Sequence, residues 1–353
     1  MREYENKENR ADGLGFLVAP VASVEDARLV LDAGADEIYC GVLTDDWKAR
    51  YGDGETMSRR QGRGAHLRCL EDLASVAALA RQQGRNAALT LNARYTRGQE
   101  QAVLELACHW DDVGGTAVIV ADPDILLTLQ RQGSRLARHA SLLTNAFNSS
   151  TACFLSALGA SRVILPRELT VEESRCLIDG ARLRGITLEY EAIVLNQRCS
   201  FIDGLCGFHH AVRFPLDVPV EFDYQPAEAG SLPVVWSPDP DYQGHGCQLP
   251  WRSATGSVDL RPIDDTAAPA CAACMLAVLA HVGVRYYKIA GRGYPGSIVA
   301  RAVRFLRDAL YQLGNRGIGA FVCAGQIRDN YARTFGRPCT QASCYYQPLR
   351  PKT

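Results

Sequence analysis

No apolar run in the 353-residue chain reaches the roughly 18–20 residues that a membrane-spanning helix needs, so no membrane span is expected. The opening stretch MREYENKENRADG is polar and lacks the apolar centre of a secretory signal. Residues 1–14 therefore read as a flexible tail, and the chain as cytoplasmic. Basic clustering is also scarce. Net charge is −1, Lys and Arg are scattered, and the densest group is SRRQGRGAHLR at 58–68. A dedicated nucleic-acid binder shows a basic face, so nucleic acid is not the expected partner. HExxH, GxSxG and the P-loop are all missing, and GRGYPG (291–296) is not GxGxxG. A protease built on this chain would need an unfamiliar centre.

Cysteine is abundant by contrast. The count of 13 is odd, the chain is long, and no export signal precedes it. A secreted disulfide framework is not expected. Reduced thiols remain, some of them small core residues and others candidates for a metal. A composition of 47% hydrophobic and 22% charged residues is ordinary for a globular protein, and the length suits one large domain or two ordinary ones.

Short apolar strand runs alternate with helical patterns along most of the chain. Strands are expected at 15–20, 35–42, 86–93, 116–122, 135–143, 161–169, 186–195 and 284–291. Helices are expected at 23–35, 70–84, 98–114, 123–133, 149–160, 170–185, 271–283 and 295–314. Gly84 closes one helix, Pro123 opens another, and Thr170 and Glu173 have capping-box spacing. Eight strands alternating with helices predict an α/β, TIM-barrel-like (β/α)8 fold, with a doubly wound open sheet as the alternative. Residues 15–195 would form the first seven β/α units and 271–315 the last. Residues 196–270, rich in Cys, Pro and Gly, would be a long insertion after strand seven holding short strands. Residues 316–353 would be a cysteine-containing C-terminal extension.

The cysteines divide by surroundings. Cys69, Cys108, Cys153 and Cys176 lie in or beside amphipathic helices, and Cys40 lies in a strand; these read as core residues. Cys199, Cys206 and Cys247 lie in polar, Gly-containing sequence, and Cys271 and Cys274 at a helix start. Loops with glycines let thiolates converge, and a helix N-terminus favours the thiolate form. Such a set suits a [4Fe–4S] cluster or zinc, and the spacing alone does not decide. His209, His210 and His245 keep zinc open. Alternation in LEYEAIV puts Glu189 and Glu191 on one strand face, either pointing into a barrel mouth or making outward salt bridges. Lys288 ends strand eight and Arg292 follows it, a pair suited to a carboxylate or phosphate.

The ordered segments FLVAPVASVEDARLVLDAGADEIYCGV, LTLNA, VILPREL, EAIVLNQRCSFIDGLC and RYYKIAGR resemble the U32 family of collagenase-like peptidases, over about residues 16–312. The resemblance implies a TIM-barrel-like fold. It also implies kinship with members of the ubiquinone-biosynthesis type and with members that modify RNA. These carry a [4Fe–4S] cluster and hydroxylate without molecular oxygen, with prephenate implicated as oxygen source. On that resemblance Cys199, Cys206, Cys247 and Cys271 would be the ligands, with Cys274 as the substitute for the fourth. Glu191, Lys288, Arg292, Arg167 and Asn92 would be catalytic residues, and Asp122, Ser141 and Asn148 fall on similar strand-end positions. Asn196 replaces a usual glycine and Ala290 a usual glutamate, while Cys323, Cys339 and Cys344 are additional. No extra C-terminal domain of the RNA-modifying kind is legible, so a small-molecule or protein-bound acceptor is expected.

Three functions follow as expectations. The first is an enzyme, an oxygen-independent hydroxylase (an oxidoreductase) using a small-molecule substrate and a carboxylate oxygen donor. The second is a metal-independent or zinc peptidase. The third is a non-catalytic, cluster-binding subunit that works with a homologous partner.

Overall fold

The computed structural model describes residues 13–52, 56–60, 63–196, 202–205, 251–253, 256–258, 269–314, 320–340 and 343–346. Eight parallel strands close into a barrel: β1 (Phe16–Pro20), β2 (Glu37–Cys40), β3 (Asn86–Leu91), β4 (Ala117–Val120), β5 (Ala137–Ala140), β6 (Arg162–Ile164), β7 (Glu189–Leu195) and β10 (Tyr286–Ile289). Each of β1 to β7 pairs with its sequence neighbour, and β10 closes the ring between β7 and β1. All eight expected strands are present, and the closed barrel holds over the open sheet. The insertion contributes β8 (Trp251–Ser253) and β9 (Gly256–Val258), an antiparallel pair outside the barrel.

Local chemistry explains where the outer helices start. Ser23 caps α1 (Val24–Asp32) by accepting from the Asp26 amide at 3.0 Å. Asp122 caps α5 (Pro123–Arg131), with Pro123 in the first turn. Asn148 caps α6 (Ser149–Ala157) through the Thr151 amide at 3.0 Å. At α7 (Val171–Arg182) the expected capping box is complete: Thr170 Oγ1 accepts from the Glu173 amide at 3.2 Å, and Glu173 accepts from the Thr170 amide at 2.8 Å. The ring also includes α3 (Leu70–Gln82), α4 (Arg97–Asp112), α8 (Leu276–Val282) and the long α9 (Gly296–Gly314). Gly84 follows α3 with φ 62°, the left-handed geometry of a C-terminal stop. The main apolar core lies between barrel and helices. Trp110 of α4 is fully buried there, and its indole N–H donates to the Ala117 carbonyl at 2.9 Å. Any side chain at Gly115 would collide with that indole, so the α4–β4 turn needs glycine.

Three features depart from the pattern. A short helix, α2 (Asp45–Tyr51), fills the loop after β2, capped by Thr44. A further helix, α10 (Ala320–Phe335), packs on α9 through Phe305, Tyr331 and Phe335. The helix expected from 271 starts only at Leu276, because 270–272 run extended beside the end of β7: the Asn196 amide donates to Ala270 at 2.9 Å and the Ala272 amide to Val194 at 2.8 Å. The thiols also sort differently from expectation. Cys40 is core, but Cys108 and Cys176 are exposed, while Cys69 and Cys153 are half-buried. Cys176 falls off the buried α7 stripe of Ser174, Leu177, Ile178 and Ala181. Among the described residues, no helix is long and apolar enough to cross a membrane.

Candidate active site

The barrel interior is charged. The Arg162 guanidinium donates to Glu37 Oε1 at 2.9 Å and Oε2 at 3.1 Å, to Glu191 Oε2 at 2.9 Å, and to Glu189 Oε2 at 3.3 Å. Lys288 Nζ donates to the other Glu191 oxygen at 2.6 Å. Two aromatic faces line this cluster: Arg162 Cζ lies 3.3 Å from the Tyr286 ring centroid, and Lys288 Nζ lies 4.0 Å from that of Tyr39. Glu189 and Glu191 therefore face inward, yet they are engaged in salt bridges below the mouth. Burial raises the Glu191 carboxyl's affinity for protons, but Lys288 and Arg162 outweigh it and hold the group below the usual carboxylate range. Glu37 shifts the other way: burial and the nearby Glu191 charge prevail over Arg162. His139 is fully buried against this cluster, with neither ring nitrogen hydrogen-bonded and Nδ1 3.8 Å from Glu37 Oε1. Burial, then Arg162 and Lys288, keep it neutral. Glu37, His139 and Glu191 bring ligand atoms within 4.8 Å of one another. The Arg162 guanidinium, bonded to both carboxylates, already supplies the cation there.

The mouth, at the C-terminal ends of the strands, is rich in arginine. Arg292 is buried, and its Nη2 donates to Ser58 Oγ at 2.7 Å while Nη1 donates to Thr90 Oγ1. Its Nε has no hydrogen-bond partner, and no carboxylate pairs with it among the described residues. Burial pushes its pKa down to about 10, with Arg60 adding to the effect against the opposing pull of Tyr39. Arg60 Nε donates to the Arg292 carbonyl at 3.2 Å. His66 Nε2 lies 2.6 Å from the Arg60 carbonyl, which makes Nε2 the protonated nitrogen and leaves Nδ1 a buried acceptor without a donor. Burial, and then Arg292, push the His66 pKa down to about 3. These groups converge on Gly41: a Cβ there would collide with Arg292 Nη1 and come within 3.0 Å of His66 Nδ1 and Thr90 Oγ1. The missing side chain lets Arg292, His66 and Thr90 pack directly against the backbone at the end of β2.

The other expected site residues have different work. Arg167 forms a two-pronged pair with Asp203, Nε to Oδ2 at 2.8 Å and Nη2 to Oδ1 at 2.5 Å. Arg94 Nη2 donates to the Gly204 carbonyl at 2.7 Å, and Arg59 Nη1 to the Asp203 carbonyl. Arg167 thus pins the 202–205 turn over the mouth. Asn92 is a positioning residue as well, donating to Ser141 Oγ at 3.2 Å and accepting from the Arg59 amide at 3.0 Å. Asp122 and Asn148 are helix caps. Cys199, Cys206 and Cys247 lie outside the described residues, as do His209, His210 and His245. The pinned turn, however, falls in sequence between Cys199 and Cys206. Cys271 is buried beside the end of β7. Asn196 has φ 65°, a left-handed geometry that glycine takes freely and asparagine tolerates best among the rest. Its Nδ2 donates to the Ala290 carbonyl at 3.1 Å, beside the register shift between Lys288 and Ile289.

A closed parallel barrel of eight strands with arginines gathered at its C-terminal mouth has the TIM-barrel layout. The chain belongs to peptidase family U32, whose model matches residues 22–214. It is 27% identical over 190 residues to the uncharacterized protease MJ0090 of Methanocaldococcus jannaschii, covering 54% of this chain and 42% of that protein. It is 32% identical over 95 residues to tRNA hydroxylation protein P of Escherichia coli, covering 27% and 20%. These matches span less than half the length of either relative. The solved U32 peptidase Mk0906 superposes with a TM-score of 0.44 at 14% identity, over 78% of this chain and 93% of that one.

Proposed function

We propose that the protein is an oxygen-independent hydroxylase that takes oxygen from a carboxylate-bearing donor. The observation that carries this reading is Arg292, a buried guanidinium with an unused Nε and no described carboxylate partner. A buried cation without a counter-charge is costly. A carboxylate reaching the unused Nε from the mouth would pair with Arg292. His66 Nδ1 would accept a hydrogen bond from a hydroxyl on the same molecule. Tyr39 and Lys288 would form the floor, with Lys288 held in place by Glu191. Two relatives named for tRNA hydroxylation support the hydroxylase reading, while another is named a protease.

We propose a [4Fe–4S] cluster on Cys199, Cys206, Cys247 and Cys271, the first two flanking in sequence the 202–205 turn that Arg167 holds. Bound there, a cluster supplies Lewis-acid and electron-transfer chemistry that side chains lack. The soft donor set and the reduced thiols fit such a group. Cys271 is the fourth thiolate implied by the resemblance, with Cys274 as its substitute. The peptidase reading has less support, because the mouth presents no nucleophile paired with a base among the described residues.

Arg292→Lys retains the charge but loses the planar fork. It should reduce kcat/KM for a carboxylate donor by about 100-fold, the order expected when an aligned clamp is misplaced. Bound iron should be unchanged. Equal kinetics in both forms, measured in anaerobic turnover assays, would remove Arg292 from the site.

A further inference from the structure

Three extended segments meet at the barrel rim, where β7 ends. The middle one, 270–272, is bridged through Cys271 to Leu195 on one side, antiparallel, and to Cys344 on the other, parallel. On the β7 side the Asn196 amide donates to the Ala270 carbonyl at 2.9 Å, and the Ala272 amide to the Val194 carbonyl at 2.8 Å. On the far side the Cys271 amide donates to the Ser343 carbonyl at 2.8 Å, and the Tyr345 amide to the Cys271 carbonyl at 3.1 Å. Both backbone polar groups of Cys271 are thus engaged by the C-terminal segment, which lies beyond the family match at 22–214. Tyr345 reaches further still: its hydroxyl donates to the Asn196 carbonyl. The segment is itself anchored. The Ser343 amide donates to the Thr340 carbonyl at 3.1 Å, and the Thr340 amide to Ser343 Oγ at 3.1 Å. Tyr345 and Tyr346 pack against the main core. Tyr331 of α10 donates to the Pro269 carbonyl at 2.6 Å, at the head of the middle segment.

These contacts bear on two of the four thiols proposed for the mouth cluster. Cys271 is buried, and its Sγ accepts from the Ala273 amide at 3.3 Å. That bond depends on the course of the backbone from 271 to 273, and the C-terminal segment holds its first residue by both polar groups. Hydrogen bonds to the sulfurs are one means by which a protein sets the potential of an iron–sulfur cluster. Cys199 follows Asn196 by three positions. Asn196 turns the chain out of β7 with its positive φ, and it is fixed at three points: its amide on Ala270, its Nδ2 on the Ala290 carbonyl, and its own carbonyl under Tyr345. A ligand-bearing segment held at its root has less conformational freedom to lose on binding. We infer that 343–345 is a positioning segment for the mouth centre, with Tyr345 the residue that ties the roots of Cys199 and Cys271 together. The inference rests on the cluster reading above and adds to it the part of the chain that keeps two of the ligands in register.

Two variants of the full chain, purified anaerobically, grade the contact. Tyr345→Phe removes only the hydroxyl, and Tyr345→Pro removes the amide donor as well. Tyr311→Phe, at an exposed tyrosine of α9, is the control. Iron and acid-labile sulfide per chain, iron kept against a competing chelator, and the midpoint potential from an electron paramagnetic resonance titration are measured, with thermal midpoints alongside. Tyr345→Phe should bind iron but hold it about tenfold less tightly, the low end of the roughly 10–100-fold loss for outer partners of metal ligands. Its potential should fall, because a displaced Cys271 loses the amide bond that favours the more negative, reduced state. Tyr345→Pro should lose more iron than Tyr345→Phe; if it does not fold, Tyr345→Phe alone decides. Tyr311→Phe should match the unmodified protein in both quantities. Iron in the unmodified protein, with retention and potential unchanged in Tyr345→Phe, overturns the inference and leaves the cluster reading standing. A lowered thermal midpoint with those two quantities unchanged makes the segment a structural brace and overturns the inference as well. Absence of iron and sulfide from the unmodified protein overturns the cluster reading itself, and the inference falls with it.

Discussion

Arg162→Met should lower unfolding stability by about 3–5 kcal/mol, the cost of removing one partner from a buried ion cluster. Arg162 has no exposed surface and donates to three carboxylates. Methionine fills much of the space left over Tyr286 but leaves Glu37, Glu189 and Glu191 facing Lys288 alone. The loss is a large share of the roughly 5–15 kcal/mol stability of an ordinary domain. Adding Glu37→Gln should recover part of it, because one uncompensated charge is removed together with its repulsion of Glu191. Denaturant unfolding of the single and double variants measures both. A single-variant loss under about 1 kcal/mol, or no recovery in the double, would mean that the cluster is not an electrostatic unit.

The second large effect concerns acid. His66 and His139 are buried and neutral, with folded-state pKa values depressed below the unfolded value. Their contribution is complete above pH 6.5 and is lost as pH falls, because only the unfolded chain takes up those protons. Each histidine costs about 1.4 kcal/mol per pH unit once the unfolded state is protonated. Glu37 acts in the opposite sense. Its raised pKa stabilises the native state at low pH, and that help fades as pH rises through the folded value. Glu37 therefore offsets part of the loss from the two histidines, and stability still falls as pH drops from 7 to 5. Metal–thiolate bonds weaken in acid too, so the informative quantity is the difference from His139→Gln. That variant should lose one proton's worth of slope. Urea midpoints at pH 7, 6 and 5 test this. Parallel curves for the two proteins would show that His139 does not titrate on unfolding.

The barrel was legible because each strand carries a short apolar run and each crossover a helical stripe with its own cap. Thr170 and Glu173 announced α7 by spacing alone. Two helices were not legible. DDWKARY is only seven residues long inside a loop and shows little beyond its Thr44 cap. AFVCAGQIRDNYARTF buries Ile327 and Tyr331 only because α9 offers Phe305 as a neighbour. Alternation showed that Glu189 and Glu191 share a face, but the face that looks inward is set by closure of the ring. Glu37 and Arg162 stand 125 residues apart and meet only once that ring is closed. Arg60 and His66 were visible only as part of a basic stretch. Their role depends on Gly41, which says nothing by itself until Arg292 arrives from the other end of the chain. Arg167 shows the reverse limit: a strand-end arginine suited to a substrate carboxylate is occupied by Asp203. Asn196 stands in place of a usual glycine, and its positive φ shows that the backbone there needs a residue at ease in left-handed geometry.

The central claim is that cluster-dependent, oxygen-independent chemistry takes place at the arginine-rich mouth. The most direct test purifies the full chain without oxygen and follows its ultraviolet–visible spectrum, iron and acid-labile sulfide together with hydroxylation of an aromatic or pyrimidine acceptor from a carboxylate donor. The account predicts a brown protein containing iron and sulfide, whose turnover without oxygen stops when Cys199→Ala removes the mouth cluster. A colourless, iron-free protein with full activity would contradict it.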